Sequence, residues 1–215
     1  MVDNNFTISK INKSEASAFL KKYHYLGAKG FRTAFTYGLF EEENLLGVCV
    51  FHGVSAPETC VGAFGLQRNE QQGIWELGRL AMHTDLNGGN YTSWFVSRAI
   101  KQLCKDTEVR AIISYADASA GHLGSIYRAL NAIYCGVTTL KFDYIDPITN
   151  KPKERFKPEE KGTAKNYEKR ARSQKHRYVW IFDKTLELKW PIISCNEIGL
   201  PKWLKKKLRA TSPPS

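Results

Sequence analysis

The sequence has no apolar run long enough to cross a membrane and no closely spaced pair of cysteines. Its five cysteines stand apart from one another, which argues against a disulfide framework and a four-thiolate zinc site. The first residues lack the basic and apolar segments of a secretory signal. No compact group of histidines and carboxylates has the spacing of metal ligands, so we assign no metal-binding residue and leave a metal requirement open. We therefore expect a soluble cytoplasmic protein with no membrane partner.

The basic charge is concentrated at one end of the chain. The 215 residues carry a net charge of +11, with 14 basic and 14 acidic side chains in residues 1–150 but 18 and 7 in residues 151–215. Aromatic residues are interleaved with this excess, as in surfaces that meet phosphates and stack on bases. They are Phe156, Tyr167, Tyr178, Trp180 and Trp203. The pattern favours nucleic acid as a partner, and the alternative is a solvated, lysine-rich tail.

Hydrophobic periodicity and turn residues predict an α/β fold. Strands are predicted at 6–11, 35–42, 45–54, 73–83, 109–117, 138–145 and 175–182, and helices at 14–23, 92–105 and 124–134. Residues 202–209 are predicted to form either a short basic amphipathic helix or a frayed tail. Polar connections are predicted at 55–72 and 146–173. We expect residues 1–145 to form a core. Residues 146–215 would then supply a basic loop, a final strand and a tail that pack on this core or extend it.

Two strand–turn–helix units follow each other in the middle of the chain, and each strand carries a residue able to do chemistry. Arg79 lies near the end of the first strand and Asp117 ends the second. Parallel strands place their carboxyl ends on one edge of a sheet, where α/β proteins bind ligands. We therefore expect Arg79 and Asp117 to converge at this edge.

The turn of the first unit contains Gly88, Gly89 and Asn90, and Thr92 or Ser93 can cap the helix that follows. Small and flexible residues at a helix start let backbone amides approach a phosphate group. Alone, these residues also fit an ordinary loop. The phosphate-binding interpretation depends on the layout of the whole chain.

That layout resembles the GNAT acyltransferase superfamily. The order of strand, helix, hairpin, strand, phosphate-type loop, helix, strand, helix and strand is similar to it over residues 6–145, as are Asn131, Tyr134 and Gly136 around the end of the second helix. The resemblance implies a mixed central sheet flanked by helices, with a basic C-terminal extension here. It also implies donor binding, for which we select Gly88, Gly89, Asn90, Thr92 and Ser125. The superfamily's Gln/Arg-x-x-Gly-x-Gly/Ala run is absent from the loop.

Several segments together resemble a narrower group, the Mom family of phage DNA-modification proteins. They are KKYHYLG (21–27), WELGRLAMH (75–83), TSWFVSRAI (92–100), ISYADASAGHLGSIYRALN (113–131) and KHRY (175–178). The resemblance implies transfer of a carbamoylmethyl group to the exocyclic amine of adenine in DNA, which protects the DNA from restriction nucleases. The donor stays open between two candidates. One is acetyl-coenzyme A, and the other is an aminoacyl donor such as a charged tRNA, which is equally open because the transferred group is chemically a glycinamide unit.

By motif position, the family's functional arginine, serine and aspartate fall on Arg79, Ser93 and Asp117, and Tyr115 lies in a matching segment. Arg79 could clamp a phosphate or carboxylate, and Ser93 could hold the donor. Asp117 could orient or deprotonate the amine, which is a poor nucleophile because its lone pair is delocalised into the ring.

Other residues in the matching segments are candidates for contact with DNA. Tyr23, His24 and Tyr25 could wall a pocket for an extruded base, since chemistry on a paired adenine requires base flipping or a single strand. The basic candidates are Lys169, Arg170, Arg172, Lys175 and Arg177, which run into the final predicted strand.

Each candidate also has a structural interpretation. Arg79 could pair with Glu76 or Asp117, Asp117 could cap a turn, and Ser93 could cap a helix. Two further functions stay open at this point. One is a GNAT-type N-acyltransferase that acts on a protein or a small amine, and the other is a nucleic-acid-binding protein without catalysis.

Overall fold

The computed structural model describes residues 5–86, 90–153, 156 and 158–193. Its strands are Phe6–Lys10 (β1), Phe35–Glu41 (β2), Asn44–Gly53 (β3), Ile74–Met82 (β4), Ala111–Asp117 (β5), Ile133–Val137 (β6), Phe142–Ile145 (β7), Glu168–Ala171 (β8) and Lys175–Ile181 (β9). Its helices are Lys13–Tyr23 (α1), Pro57–Phe64 (α2), Tyr91–Asp106 (α3) and Ser125–Ala129 (α4). None of the helices in these ranges has both the length and the hydropathy that a membrane crossing requires.

Seven strands form one mixed sheet in the order β1-β2-β3-β4-β5-β9-β6, and β7 and β8 form a separate two-stranded sheet. The β4–β5 pair is parallel, whereas the other neighbours in the large sheet are antiparallel. The final strand β9 is therefore an interior strand, inserted between β5 and β6. Its register places Lys175 opposite Asp117.

Helices cover both faces of the large sheet. On one face, α3 and α4 pack over a core that includes Tyr37, Phe51, Phe95 and Leu103, all fully buried. On the other face, α1 and α2 each pack over a cluster of their own. Full burial of one such side chain stabilises a fold by roughly 1.5–3 kcal/mol. The helices packed on both faces hold the strands in place, and they therefore fix the positions of the side chains at the strand ends.

Strands β4 and β5 pair only over their first halves. The ladder joins Ile74–Leu77 to Ala111–Ser114, and then the two strands continue without pairing. The register between β3 and β4 also shifts here, leaving Gly78 as the extra residue of a bulge. A side chain at Gly78 would overlap the imidazole of His52. The two strands therefore diverge and open a gap within the sheet.

Some sequence predictions about elements are wrong. The helix predicted over 124–134 ends at Ala129, because Asn131 adopts a left-handed backbone (φ 59°) and Ile133 begins β6. The connection at 55–72 contains α2, which begins at Pro57, ends at Phe64 and is capped by Gly65 with φ 74°. The loop at 146–173 contains β8, which pairs with β7. The segment 202–209, predicted as a helix or a frayed tail, lies outside the described residues.

Candidate active site

A cavity of about 480 Å³ lies at the gap between β4 and β5. Its walls come from the end of α1 and the residues after it (23–26), β4 (76–82), the end of β5 (115–117) and the segment 121–127 that leads into α4. Thr84, Thr92 of α3 and Lys175 of β9 also line it. Arg79 and Asp117 therefore face one cavity, at the sheet edge where the order of the elements places them.

Arg79 follows the bulge, and its guanidinium is incompletely bonded. Nη1 donates to the carbonyl of Gly78 at 2.8 Å, whereas the buried Nε has no hydrogen-bond partner within the described part of the chain. Among the same residues Arg79 forms no ion pair, and Glu76 instead accepts the Ser55 amide at 3.1 Å. A buried donor without an acceptor is costly. The site thus has an unused, cationic donor for an anionic or carbonyl oxygen.

Asp117 uses only one of its carboxylate oxygens in the fold. Oδ1 accepts the Ser119 amide at 3.0 Å, the Ser119 hydroxyl at 2.7 Å and the Ser173 hydroxyl at 2.8 Å. Burial acts to raise the pKa of Asp117, but these hydrogen bonds and the charge of Lys175 lower it overall. Asp117 therefore caps the turn after β5 through Oδ1. Its ionised Oδ2 makes no hydrogen bond to any described residue and is available to a ligand.

His24, the C-terminal cap of α1, is a neutral hydrogen-bond donor. Burial, the charge of Arg79 and the proximity of His122 lower its pKa to about 4. Its Nδ1 accepts the Leu26 amide at 3.1 Å, so the neutral ring carries its proton on Nε2. The ring stacks on Tyr25 with centroids 4.7 Å apart.

The lowered pKa of His24 predicts an acid-sensitive fold. The unfolded chain, with a histidine pKa near about 6.5, binds more protons than the folded chain, and stability is therefore lost as the pH falls from there to about 4. We expect the His24→Asn variant to lose less stability than the wild type over this window, by about 2–5 °C in thermal midpoint. Thermal unfolding at pH 7.5, 5.5 and 4.5 measures the difference. Parallel midpoint curves for the two proteins would contradict the assignment.

Tyr127 in α4 is a site residue that sequence reasoning missed. It lines the cavity, its hydroxyl is hydrogen-bonded to Ser114, and burial raises its pKa to about 12. Its ring packs against Tyr178 and Trp180, with centroids 5.3 Å and 5.5 Å away. The available signal was a tyrosine in the first turn of the helix after Asp117.

Some of the residues selected for contact with the donor line the cavity, and others do not. Thr92 and Ser125 line it. Ser93 is not among the lining residues, and its hydroxyl donates to the Asn90 carbonyl at 3.0 Å. Asn90 itself is the N-cap of α3 and makes no side-chain capping bond, so the predicted capping by Thr92 or Ser93 is wrong. Gly88 and Gly89 lie outside the described residues.

Tyr115 lies on β5 between the cavity and α2. Its hydroxyl is hydrogen-bonded to Thr59 of α2, and burial together with the nearby Glu76 raises its pKa to about 12. The hydroxyl is therefore held by the fold and stays protonated at neutral pH.

The predicted DNA-contacting residues differ in how the fold engages them. Tyr23, His24, Tyr25 and Lys175 line the cavity. Arg177 instead lies inward, with its guanidinium 4.5 Å from the Trp190 ring and Nη2 donating to the Cys135 carbonyl at 2.9 Å.

The basic residues on and after β8 each have a local partner. Lys169 lies over the Phe142 ring at 4.3 Å, Arg170 is 3.4 Å from Glu168, and Arg172 Nε donates to Asp143 at 2.6 Å. These contacts are exposed, where an ion pair contributes about 0–1 kcal/mol. A phosphate could therefore exchange for the carboxylates at little cost.

Two solved structures show which fold this is. One is the ribosomal-protein-S18-alanine N-acetyltransferase from Escherichia coli, with a TM-score of 0.50, 11% identity, and coverage of 85% of this chain and 99% of that one. The other is a GNAT family acetyltransferase from Elizabethkingia anophelis with acetyl-CoA bound, with a TM-score of 0.50, 9% identity, and coverage of 84% and 100%. The predicted GNAT-like fold is confirmed.

Sequence comparison gives a narrower result than fold comparison. No curated protein matches the chain. The model of the Mom protein family, by contrast, matches residues 5–197, which include every element described above and the whole cavity. The segments around Tyr23, Arg79, Ser93 and Asp117 that predicted this family all lie within the match. The chain therefore belongs to the Mom protein family.

Proposed function

We propose that this protein transfers a carbamoylmethyl group to the exocyclic amine of adenine in DNA and so protects the DNA of a phage from restriction nucleases. One observation carries the proposal: in a Mom family member, an unsatisfied Arg79 and an ionised Asp117 with one open oxygen face the same cavity. The protein would act in the cytoplasm of the bacterial host, on DNA that it meets there.

Two polar groups that line the cavity, one on Asp117 and one on His24, suit the amino edge of adenine. Asp117 Oδ2 can accept a hydrogen bond from the exocyclic amine, and the Nε2–H of His24 can donate to a neighbouring ring nitrogen. Because hydrogen bonds lower its pKa, Asp117 is a weak base. It is better suited to accept the proton after the new bond has made the amine cationic than to deprotonate a neutral amine.

Arg79 and the start of α3 would hold the donor. The first backbone bond of α3 runs from the Trp94 amide to Asn90, and the first turn carries no acidic side chain. The amides before Trp94 and the macrodipole of this 16-residue helix therefore favour an anionic group. Acetyl-coenzyme A and the 3′ end of an aminoacyl-tRNA both carry phosphates that fit such a site. A glycyl ester balances the transfer, since it carries both carbons and the nitrogen of the carbamoylmethyl group and its tRNA leaves with a free 3′ hydroxyl. Acetyl-coenzyme A lacks that nitrogen, and acyl transfer from it would give an acetylated amine instead.

Chemistry on a base requires that the base leave the duplex. The cavity volume of about 480 Å³ lies within the range of small-molecule pockets, and Tyr23, His24 and Tyr25 give it an aromatic wall. Lys175 also lines the cavity, and the basic residues of β8 precede it closely in the chain. The aromatic wall can stack on the extruded adenine while the lysine meets a flanking phosphate.

Mass spectrometry of nucleosides tests the proposal directly. We expect DNA from cells that express the protein to contain a deoxyadenosine carrying the carbamoylmethyl mass increment, and DNA from cells with an empty vector to lack it. Purified protein supplied separately with acetyl-coenzyme A and with charged tRNA identifies the donor.

The contrary outcomes favour different functions. Unmodified deoxyadenosine together with an acetylated protein or amine would favour an N-acyltransferase. Unmodified nucleosides with intact DNA binding would favour a binding protein without catalysis.

A further inference from the structure

Two leucines from different segments are exposed where the cavity opens to solvent, and we call this opening its mouth. Leu26 follows α1 and is 44% exposed, and Leu123 precedes α4 and is 58% exposed. Both also line the cavity. Tyr25, beside Leu26, is 52% exposed. A cluster of exposed apolar side chains around a cavity mouth marks a surface that meets a partner.

The backbone holds these leucines in place. The Leu26 amide donates to His24, and the Leu123 carbonyl accepts the Tyr178 hydroxyl at 2.5 Å. Next to Leu123, Gly124 has φ 69° and lies so close to the Tyr178 ring that no side chain fits there. The two segments touch across the mouth through the rings of Tyr25 and His122, with centroids 5.3 Å apart. Leu123 is thus fixed in an exposed position by a buried tyrosine.

We propose that Leu26 and Leu123 form a wedge that enters duplex DNA and fills the space left in the base stack by the adenine that has moved into the cavity. The inference rests on the proposed function, because it takes the cavity as the receptor for the base. Proteins that kink or open a duplex insert leucine and similar apolar side chains between base steps. Unstacking a base is unfavourable, and an apolar wedge offsets part of that cost by replacing the lost stacking contacts.

Charges around the wedge support duplex DNA as the partner. Lys22 and Lys29 are exposed on either side of Leu26 in the sequence, and Lys175 lies at the cavity. Lysines that flank an apolar insertion can meet the phosphates of the opened step.

The test uses the Leu26→Ala/Leu123→Ala double variant of the full-length protein, with Val61→Ala as its control. Val61 is 43% exposed but lies on α2 and does not line the cavity. The probe is a duplex in which 2-aminopurine, which brightens on unstacking, lies directly 3′ of the target adenine, and it is prepared with every combination of the other flanking bases. We expect wild type and the Val61 variant to brighten at least one duplex, and the double variant to lose about tenfold or more of that signal.

A second readout is the rate of modification on duplex and single-stranded DNA of one sequence. We expect the double variant to lose about tenfold or more on the duplex and much less on the single strand, which needs no unstacking. The Leu26→Met/Leu123→Met variant should recover most of the duplex rate, since methionine preserves the apolar volume.

The two readouts separate failure of the wedge from failure of the proposed function. Modification with an unchanged 2-aminopurine signal in the double variant, or with equal losses on both substrates, overturns the wedge and leaves the function. A leucine-dependent signal without any modified adenine overturns the function and leaves the wedge. No brightening by the wild type on any duplex overturns the wedge.

Discussion

The Arg79→Met variant is expected to lose at least about a hundredfold in modification rate while its thermal midpoint stays unchanged or rises. Loss of one preorganised donor to a reacting oxygen typically costs a factor of 10² to 10³. The fold, in contrast, gains little from the guanidinium, because its buried Nε has no partner among the described residues and its remaining bond goes to the adjacent Gly78 carbonyl. Methionine keeps the length and apolar character of the stem and removes an unpaired charge.

Arg110 offers the matched control. Its Nε donates to Asp183 at 3.0 Å, and its Nη1 donates to the Glu70 carbonyl at 3.0 Å. Arg110 immediately precedes β5, at the opposite end of that strand from Asp117, and it does not line the cavity. We expect the Arg110→Met variant to lose about 1–2 kcal/mol of stability and to retain its modification rate. Nucleoside mass spectrometry and thermal unfolding measure both variants. A large loss of stability in the Arg79→Met variant, in parallel with its activity, would assign Arg79 to the fold instead.

The Asp117→Asn variant is expected to lose at least about a hundredfold in modification rate. The loss comes from the replacement of one atom, the open Oδ2. Asparagine keeps Oδ1 as the acceptor for Ser119 and Ser173 but replaces the open Oδ2 with an NH₂ group. That group donates hydrogen bonds, and it therefore opposes the amine of adenine instead of accepting from it. It also cannot take up a proton.

The Ser173→Ala variant separates this effect from the turn that Asp117 caps. It removes one of the hydrogen bonds to Oδ1 and leaves Oδ2 ionised. We expect both variants to lose about 1 kcal/mol, or about 2–4 °C in thermal midpoint. The Ser173→Ala variant should keep its rate within about threefold, whereas the Asp117→Asn variant should be inactive. Equal rates in the two variants would show that Asp117 acts only as a cap.

The convergence of Arg79 and Asp117 could be predicted from the sequence, because local patterns specify the strands and their order along the chain. An apolar strand followed by a turn and a helix places Arg79 and Asp117 at one sheet edge, and the structure brings both to one cavity. The same patterns were insufficient at Asn131. A single left-handed residue there ends a helix whose apolar spacing continues into β6.

The interior position of β9 could not be predicted from local patterns, because nothing in the segment 175–181 specifies its neighbours. Insertion between β5 and β6 buries Tyr178 and places Lys175 opposite Asp117. It also turns Arg177 inward onto Trp190, although the sequence placed this arginine with the phosphate-contacting residues. Lys175 and Arg177 are two residues apart and so share a face of β9, and their position along the strand decides which one reaches the cavity. Lys175 lies opposite Asp117 at the end of β5, whereas Arg177 lies opposite Tyr115, further into the sheet.

The protonation of the site was likewise decided by the tertiary structure. The sequence determined the fold class, the family and the residue types at the strand ends, since these depend on order and spacing along the chain. The neutral His24, the open Oδ2 of Asp117 and the unpaired Nε of Arg79 depend on burial and on partners such as Ser173, which is distant from Asp117 in sequence. A pKa responds to desolvation and to charges within a few ångströms, and only the folded chain brings those groups together.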